Sequence, residues 1–279
     1  MAGKDRRPEG VAAPRRAVKD AAGRGEGQPG AILAPVTTVR LDIEYDGAGF
    51  RGWARQPSQR TVQGVLEAAL AQVLREEIQL TVAGRTDTGV HALGQVASFD
   101  TEVPLPADLA RNLNGVAPED VAVRRAAVVD DGFSARHDAR SRSYLYRVAR
   151  TPAPSPFDRG RALWWPHRVD REALDACAAA LLGTHDFTAF TPTQTDHVRF
   201  ERDVFGASWR DEGEILAFRV TADAFMRNMV RALVGTMLEV ASSRRTVEDF
   251  TALLQGRPRS EGGDTAPPHA LYLESVSYD

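Results

Sequence analysis

Two ionisable side chains lie two residues apart in a turn that is flanked by glycines. Arg85 precedes Asp87 within the stretch from Gly84 to Gly89. A carboxylate that attacks carbon at neutral pH has to stay ionised in a partly dry site, and a guanidinium within hydrogen-bond distance lowers its pKa. The same residues also fit an ordinary Asx turn with a surface ion pair. The turn alone favours this second interpretation, so the decision depends on its neighbours.

A second glycine-rich stretch runs from Gly47 to Gly52 and matches the G-x-G-x-x-G pattern of dinucleotide-binding sites. Such a site needs a helix that begins at once, so that its N-terminus faces the pyrophosphate, and an acid that ends a second strand. Here the predicted helix begins only at Thr61, and Glu67 lies in the middle of it. We therefore interpret these glycines as positions of tight turns or of close backbone approach to a ligand.

Metal and other cofactor motifs also fail on spacing. The six histidines are scattered without H-x-x-x-H spacing, and the single cysteine excludes a C-x-x-C pair. Neither the G-x-S-x-G motif of hydrolases nor the G-K-[ST] motif of phosphate loops occurs. The sequence therefore predicts no metal and no cofactor, which leaves chemistry that side chains perform by themselves.

Composition restricts the class of protein. The chain has 279 residues and a net charge of −3, which argues against a strongly basic, dedicated nucleic-acid binder. Basic charge is local instead, because residues 124–168 contain ten arginines against four acids and form a candidate surface for phosphates. Cys177 lies in an apolar helical pattern, as expected of a buried thiol in a reducing cytoplasm. No apolar run approaches the roughly 20 residues of a membrane span, so we expect a cytoplasmic protein without a membrane partner.

The distribution of patterns along the chain predicts a tail and two units. Residues 1–36 are rich in glycine, alanine, proline and charge, which predicts a disordered tail. Residues 37–150 form a predicted N-terminal α+β domain that contains the Arg85–Asp87 turn, and residues 151–279 form a C-terminal one. The boundary is a proline-rich stretch at 151–162.

Hydrophobic periodicity predicts the elements of these two similar units. Val39 to Asp46 alternate as a half-buried strand, and an apolar stripe from Thr61 to about Glu76 predicts a helix with Thr61 as its cap. The pattern favours an α+β fold with a mixed, mainly antiparallel sheet and helices packed on it. Further strands are predicted at 79–83, 95–99, 121–129, 142–149, 200–210, 214–222 and 271–278, and further helices at 107–113, 171–182, 224–242 and 247–255.

An ordered series of motifs resembles the TruA class of tRNA pseudouridine synthases, from about Val39 to Tyr278. The stretch from Tyr45 to Gln56 is similar to that family's first glycine-rich loop, and 84–92 is similar to its catalytic loop. The other similar segments are Phe133-Ser134-Ala135-Arg136, Tyr144-Leu145-Tyr146, Asp186 to Phe190, Phe225 to Arg231 and Leu271-Tyr272-Leu273. Two positions depart from the family pattern: Thr88 stands where alanine is usual, and Ser143 stands where a basic residue is common.

The resemblance implies the pseudouridine synthase fold and the isomerisation of uridine to pseudouridine at positions 38 to 40 of the tRNA anticodon stem-loop. It implies that Asp87 is the catalytic nucleophile, that Tyr144 meets the target base, that Arg231 keeps Asp87 ionised and that Leu271 lines the pocket. We expect Arg85 to fill the space that the base vacates or to hold Asp87. The resemblance also implies tRNA as the partner and a homodimer whose cleft cradles it, with no cofactor and no metal.

Three alternatives stay open at this point. The same chemistry could act on a different RNA, the scaffold could belong to a non-catalytic RNA-binding protein, or Asp87 could serve a hydrolase that releases free uracil. The route at the ribose is also open, because Asp87 could attack C1′ or remove a ribose proton to give a glycal.

Overall fold

The computed structural model describes residues 36–195 and 198–279, in which ten strands form one sheet. The strands are β1 Thr37–Tyr45, β2 Thr81–Val82, β3 His91–Thr101, β4 Val121–Val128, β5 Ser141–Ala149, β6 Leu163–Trp164, β7 Gly183–Asp186, β8 Glu201–Glu212, β9 Ile215–Ala222 and β10 Leu271–Ser277. Their order is β4-β1-β3-β10-β5-β9-β8-β7, with β2 paired to β3 and β6 paired to β5. All pairs are antiparallel except β10 with β3 and β5 with β6. The predicted tail lies outside the described residues, apart from Val36.

Four of the five α-helices in the same residues begin at a capping side chain, and Thr61 is the cap that the sequence predicted. Thr61 accepts a hydrogen bond from the Gly64 N–H at the start of the first helix, and Asp170 accepts one from Ala173 at the start of the third. A capping box at Thr246 starts the fifth helix. The helices are α1 Val62–Leu74, α2 Leu109–Asn114, α3 Arg171–Ala180, α4 Met229–Ala241 and α5 Val247–Leu253. Together with the sheet they confirm the predicted α+β class.

Strand β10 brings the end of the chain into the middle of the sheet. It lies between β3 and β5, where Leu273 pairs with Tyr144 and Tyr272 pairs with His91. One sheet therefore contains strands from both predicted domains. The division of the chain near residue 150 stays a prediction.

Strand β3 is longer than predicted, because it extends over His91–Thr101 instead of 95–99. It pairs with the preceding strand β2 and also with β1 and β10, which come from distant parts of the chain. Gly94 allows the close approach of β10, since a Cβ at this position would lie 2.5 Å from the carbonyl oxygen of Glu274. Such tertiary pairing stabilises the strand where its own sequence pattern is weak.

Helix α4 begins five residues later than predicted. The sequence pattern predicted a helix from Ala224, but Asn228 adopts a left-handed backbone conformation with φ of 62° and the helix begins at Met229. Phe225 was predicted on the apolar stripe of this helix. It lies instead in the turn before the helix, where its ring packs edge-on against Tyr144 with centroids 4.9 Å apart. A contact between side chains distant in sequence thus replaces the predicted first turn.

The main hydrophobic core lies between the sheet and the helices. It joins Leu41 of β1 with Leu66 of α1, and Phe218 of β9 with Leu233 of α4. Cys177 is part of this core, and burial raises the pKa of its thiol to about 12, as expected of a structural cysteine. Over residues 36–195 and 198–279, no helix is long and apolar enough to cross a membrane.

Candidate active site

The loop that carries Asp87 connects β2 to β3 and is held at several points along its length. The Gln95 side chain donates a hydrogen bond of 2.7 Å to the carbonyl oxygen of Gly84. The hydroxyl groups of Tyr45 and Thr86 lie 2.7 Å apart in the core, and the Val90 N–H closes a turn on the carbonyl oxygen of Asp87 at 3.1 Å. These bonds fix the backbone on both sides of the carboxylate.

The first glycine-rich loop packs directly against residues 84–92, which we call the catalytic loop after the family segment that they resemble. A Cβ at Gly47 would lie 2.0 Å from the carbonyl oxygen of Val90, and one at Gly52 would lie 2.8 Å from that of Thr86. The Trp53 N–H donates to the same Thr86 oxygen at 3.0 Å. The sequence alone indicated that these glycines permit tight turns or a close approach of the backbone to a ligand. At Gly47 and Gly52 the structure shows close approach between two loops of the protein, and Gly52 also has a positive φ of 90°.

Replacing Gly47 by alanine is expected to destabilise the fold and to displace the catalytic loop. The new methyl group would overlap the Val90 carbonyl, and overpacking of this kind costs about 1–3 kcal/mol. The free energy of unfolding measured in urea tests this prediction. Gly206→Ala is the matched control, because a Cβ there meets nothing within 4 Å. Equal stability of the two variants would contradict the loop contact.

Asp87 points toward the N-terminus of α4. Its Oδ2 lies 3.8 Å from a terminal nitrogen of Arg231, and the backbone N–H of Asn228 donates a hydrogen bond to the carboxylate. The Asp87 side chain is 34% exposed and that of Arg231 is 16% exposed, so the pair is partly shielded from water. Arg231 is itself fixed by hydrogen bonds to the carbonyl oxygen of Ala266 at 2.7 Å and to Asn228 Oδ1 at 2.9 Å.

The net effect of these surroundings is to raise the pKa of Asp87. Burial disfavours the charged carboxylate and outweighs the opposing effects of Arg231, Arg227 and the Asn228 N–H. The sequence pattern predicted that a neighbouring guanidinium would lower this pKa, and Arg231 and Arg227 do act in that direction. Burial has the larger effect, and a short sequence motif does not report how much water the folded chain removes from its carboxylate. The site therefore holds a carboxylate that is more basic than a typical surface aspartate.

Tyr144 lies beside the catalytic loop and is buried. A Cβ at Gly84 would lie 3.9 Å from its hydroxyl oxygen, so this hydroxyl lies close to the start of the loop. Burial, together with the nearby Asp87 and Tyr45, raises the pKa of the Tyr144 hydroxyl far above its ordinary value. The hydroxyl is therefore neutral at physiological pH and is available as a hydrogen-bond donor.

Leu271 and Arg85 occupy very different environments. Leu271 is buried in the main core and pairs in register with Tyr146, while Leu273 is the residue opposite Tyr144. Paired residues of antiparallel strands face the same side of a sheet, so Leu271 shares the Tyr144 face. Arg85 is exposed, and within residues 36–195 and 198–279 it forms no ion pair with Asp87. Its two predicted roles, filling the space that the base vacates or holding Asp87, both stay predictions.

His91 also supports the site, a role that the sequence pattern did not indicate. The imidazole is fully buried, and Nδ1 accepts a hydrogen bond from the Gly47 N–H at 3.0 Å. Nδ1 also lies 3.1 Å from Asp46 Oδ1, and Nε2 lies 3.1 Å from the carbonyl oxygens of both Gly160 and His269. The ring also stacks on Tyr272. His91 stands in the catalytic-loop motif, but its partners are distant in sequence and no local pattern reveals them.

Comparison with known proteins is decisive at this point. The sequence pattern of the family described as "tRNA pseudouridine synthase" matches residues 43–138 and 177–279, which include Asp87, Arg231 and Leu271. The chain belongs to the tRNA pseudouridine synthase family. This finding confirms the resemblance drawn from the order of the motifs, and it agrees with the mixed sheet and packed helices of the pseudouridine synthase fold.

Individual members of the family are similar over most of their length. Three of these relatives carry the name tRNA pseudouridine synthase A. The Bacillus pumilus protein is 38% identical over 244 residues, covering 86% of this chain and 99% of its own. The Lacticaseibacillus casei protein is 39% identical over 248 residues (87% and 100%), and the Gloeobacter violaceus protein is 41% identical over 251 residues (89% and 83%).

Proposed function

We propose that the protein isomerises uridine to pseudouridine in tRNA and that Asp87 is the residue that acts on the ribose. The observation that carries the proposal is the environment of Asp87 in a family motif. Its carboxylate is partly dehydrated, lies 3.8 Å from the Arg231 guanidinium and accepts the Asn228 N–H. Dehydration makes it a stronger base and nucleophile than an exposed aspartate, while the cation and the N–H keep the charged form accessible.

The reaction needs no group beyond these side chains. The bond between C1′ and N1 of uridine breaks, a bond between C1′ and C5 forms, C5 loses a proton and N1 gains one, so no electrons are transferred to another molecule. Asp87 either attacks C1′ or removes a ribose proton to give a glycal, and both routes pass through an electron-poor sugar. The base first has to leave its stack, which costs a few kcal/mol. Exposed Arg85 is suited to occupy the vacated space.

Tyr144→Phe is expected to slow turnover more than tRNA binding. In the proposed mechanism the neutral hydroxyl contacts the uracil and helps to move the C5 proton, and general acid–base groups contribute typically 10²–10⁴-fold. We expect a fall in kcat of roughly 10²-fold with little change in Kd, measured by single-turnover kinetics and filter binding. Tyr278→Phe is the control, since it removes a hydroxyl that donates to the Ala135 carbonyl. Equal losses in rate and affinity would make Tyr144 a binding residue only.

We further propose that the substrates are uridines 38 to 40 of the anticodon stem-loop, that the protein acts as a homodimer and that it works in the cytoplasm. Family membership supports these statements, and the one buried cysteine suits a reducing compartment. Light scattering should give twice the 30.4 kDa of one chain, and mapping of modified uridines should give positions 38 to 40. A monomer would contradict the dimer, and modification elsewhere would favour a different RNA target.

A further inference from the structure

Arg142 in β5 uses all of its hydrogen-bond donors on backbone carbonyl groups. A guanidinium has five N–H bonds, and each of them is engaged. Nε and one terminal nitrogen donate to the Ala83 oxygen at 3.2 and 2.9 Å. The remaining bonds reach Ala139 at 3.0 Å, Asp223 at 2.8 Å and Arg136 at 3.0 Å. The side chain therefore has no donor left for a phosphate.

The position of Ala83 gives this arrangement its importance. Ala83 immediately precedes Gly84, at the start of the loop that carries Asp87. Its N–H donates to the Val96 carbonyl at 2.9 Å, so β3 holds one side of the residue and Arg142 holds the other. Charge-assisted hydrogen bonds of this kind are roughly twice as strong as neutral ones.

Arg142 also lies two residues before Tyr144 on the same strand, and alternate residues of a strand face the same side of a sheet. Strand β5 thus carries Tyr144 and, through Arg142, also holds the start of the loop that contains Asp87. In the proposed mechanism Tyr144 and Asp87 act on the same nucleotide, and β5 positions both of them. Segment 136–139 and the end of β9 at Asp223 are tied to the same guanidinium.

We propose that Arg142 is a positioning residue that sets the catalytic loop against Tyr144, and that it is not one of the arginines that contact tRNA phosphates. This inference rests on the proposed function. It gives Arg142 a different role from the other arginines of stretch 124–168, which the sequence alone predicted to be one phosphate-binding surface. In that stretch Arg124, Arg147, Arg150 and Arg161 form ion pairs with acids, whereas Arg142 is bonded to carbonyl groups.

The test compares Arg142→Lys and Arg142→Gln with wild type. Lysine keeps the charge but lacks the planar fork, so it cannot replace the five bonds. A misplacement of about 1 Å can cost 10²-fold in rate, and we expect single-turnover rates at saturating enzyme to fall on the order of 10²-fold for both variants. The dissociation constant for tRNA and its salt dependence should stay at the wild-type values.

Arg202 provides the matched control. Arg202 is buried, whereas Arg142 is half-buried, and one terminal nitrogen of Arg202 likewise donates to backbone carbonyl oxygens, those of Arg199 and Glu201, but Arg202 lies on β8. Arg202→Lys and Arg202→Gln should lower the melting temperature without a comparable loss of rate. If they lose rate as strongly as the Arg142 variants at an equal loss of Tm, Arg142 is merely structural. Loss of a phosphate contact reduces by about one the slope of the logarithm of the binding constant against the logarithm of the salt concentration. If the Arg142 variants keep the rate but show this reduction, the proposal is also overturned.

A measurement on wild-type protein avoids any dependence on folding of the variants. Phenylglyoxal modifies accessible guanidinium groups, so it should modify exposed Arg85 in the free protein. It should leave Arg142 unmodified both with and without tRNA. A reactive Arg142 that becomes protected only by tRNA would overturn the proposal. Failure of the proposed function is distinguishable from failure of the Arg142 proposal. Wild-type protein that forms no pseudouridine refutes the proposed function, whatever the Arg142 variants show.

Discussion

Asp87→Asn is expected to abolish pseudouridine formation while leaving the fold and tRNA binding intact. Asparagine has nearly the same shape but neither the charge nor the nucleophilicity of a carboxylate. Loss of a residue that acts directly on the substrate costs on the order of 10⁴-fold or more in turnover. Single-turnover assays on an unmodified tRNA transcript, combined with binding measurements, test this prediction. Substantial residual turnover would refute the assignment of Asp87.

Stability provides an independent check on the same variant. The pKa of Asp87 is raised in the folded protein, so its stabilising contribution is complete below the unfolded-state pKa and is lost as pH rises through the folded-state pKa. At pH 7 the ionised carboxylate therefore costs the fold free energy, and Asp87→Asn should be at least as stable as wild type. This pattern of a stable but inactive variant is typical of a functional residue.

Asp158→Asn is the matched control for this substitution. Asp158 also lies 3.8 Å from an arginine nitrogen, that of Arg147, and its side chain is similarly exposed at 28%. It stands outside the catalytic loop, so its replacement should leave turnover within about twofold of wild type, as expected of a surface pair worth less than about 1 kcal/mol. Similar losses for both variants would mean that the assay reports general ion-pair disruption.

Arg231→Met is expected to produce the second largest loss of catalytic activity, after Asp87→Asn. The substitution keeps much of the apolar volume but removes the cation whose field opposes the desolvation of Asp87. It also leaves the Ala266 carbonyl without its donor, and an unsatisfied buried group costs roughly 1–3 kcal/mol. We expect kcat/KM at pH 7 to fall on the order of 10²-fold, as is found when one charge-stabilising donor is removed from an active site.

The pH profile shows whether this loss acts through Asp87. In wild type the acid limb of kcat/KM should lie above pH 3.8, the ordinary pKa of an aspartate, because burial raises the pKa of Asp87. Loss of Arg231 should shift that limb to still higher pH. Arg245→Met is the control, since Arg245 pairs with Glu239 near the other end of α4. An acid limb that stays in place in Arg231→Met would contradict the proposed electrostatic role.

Local sequence patterns predicted much of the fold because the features concerned are themselves local. The alternation that begins at Val39 and the cap at Thr61 depend on neighbouring residues. The structure agrees with both. The start of α4 follows instead a left-handed Asn228, and the preceding Phe225 packs against Tyr144, some eighty residues earlier in the chain. No periodicity within 224–242 contains that information.

The candidate site shows the same distinction. Asp87 and Arg231 could be named from motif order, and the structure brings them to 3.8 Å. The direction of the pKa shift and the role of Gly47 as a contact surface for the catalytic loop depend on packing between distant segments. The supports provided by His91 and Arg142 were missed for the same reason, because their hydrogen-bond partners include backbone groups that any residue type offers.

One measurement tests the central claim most directly. Purified protein is incubated with a tRNA transcript whose uridines carry tritium at C5, and the chemical form of the released label is determined. Joining C1′ to C5 expels the C5 hydrogen, so the account predicts tritium in water, pseudouridine in the RNA, and neither product with Asp87→Asn. Tritium recovered in free uracil would show a hydrolase, and no release at all by wild type would contradict the proposed function.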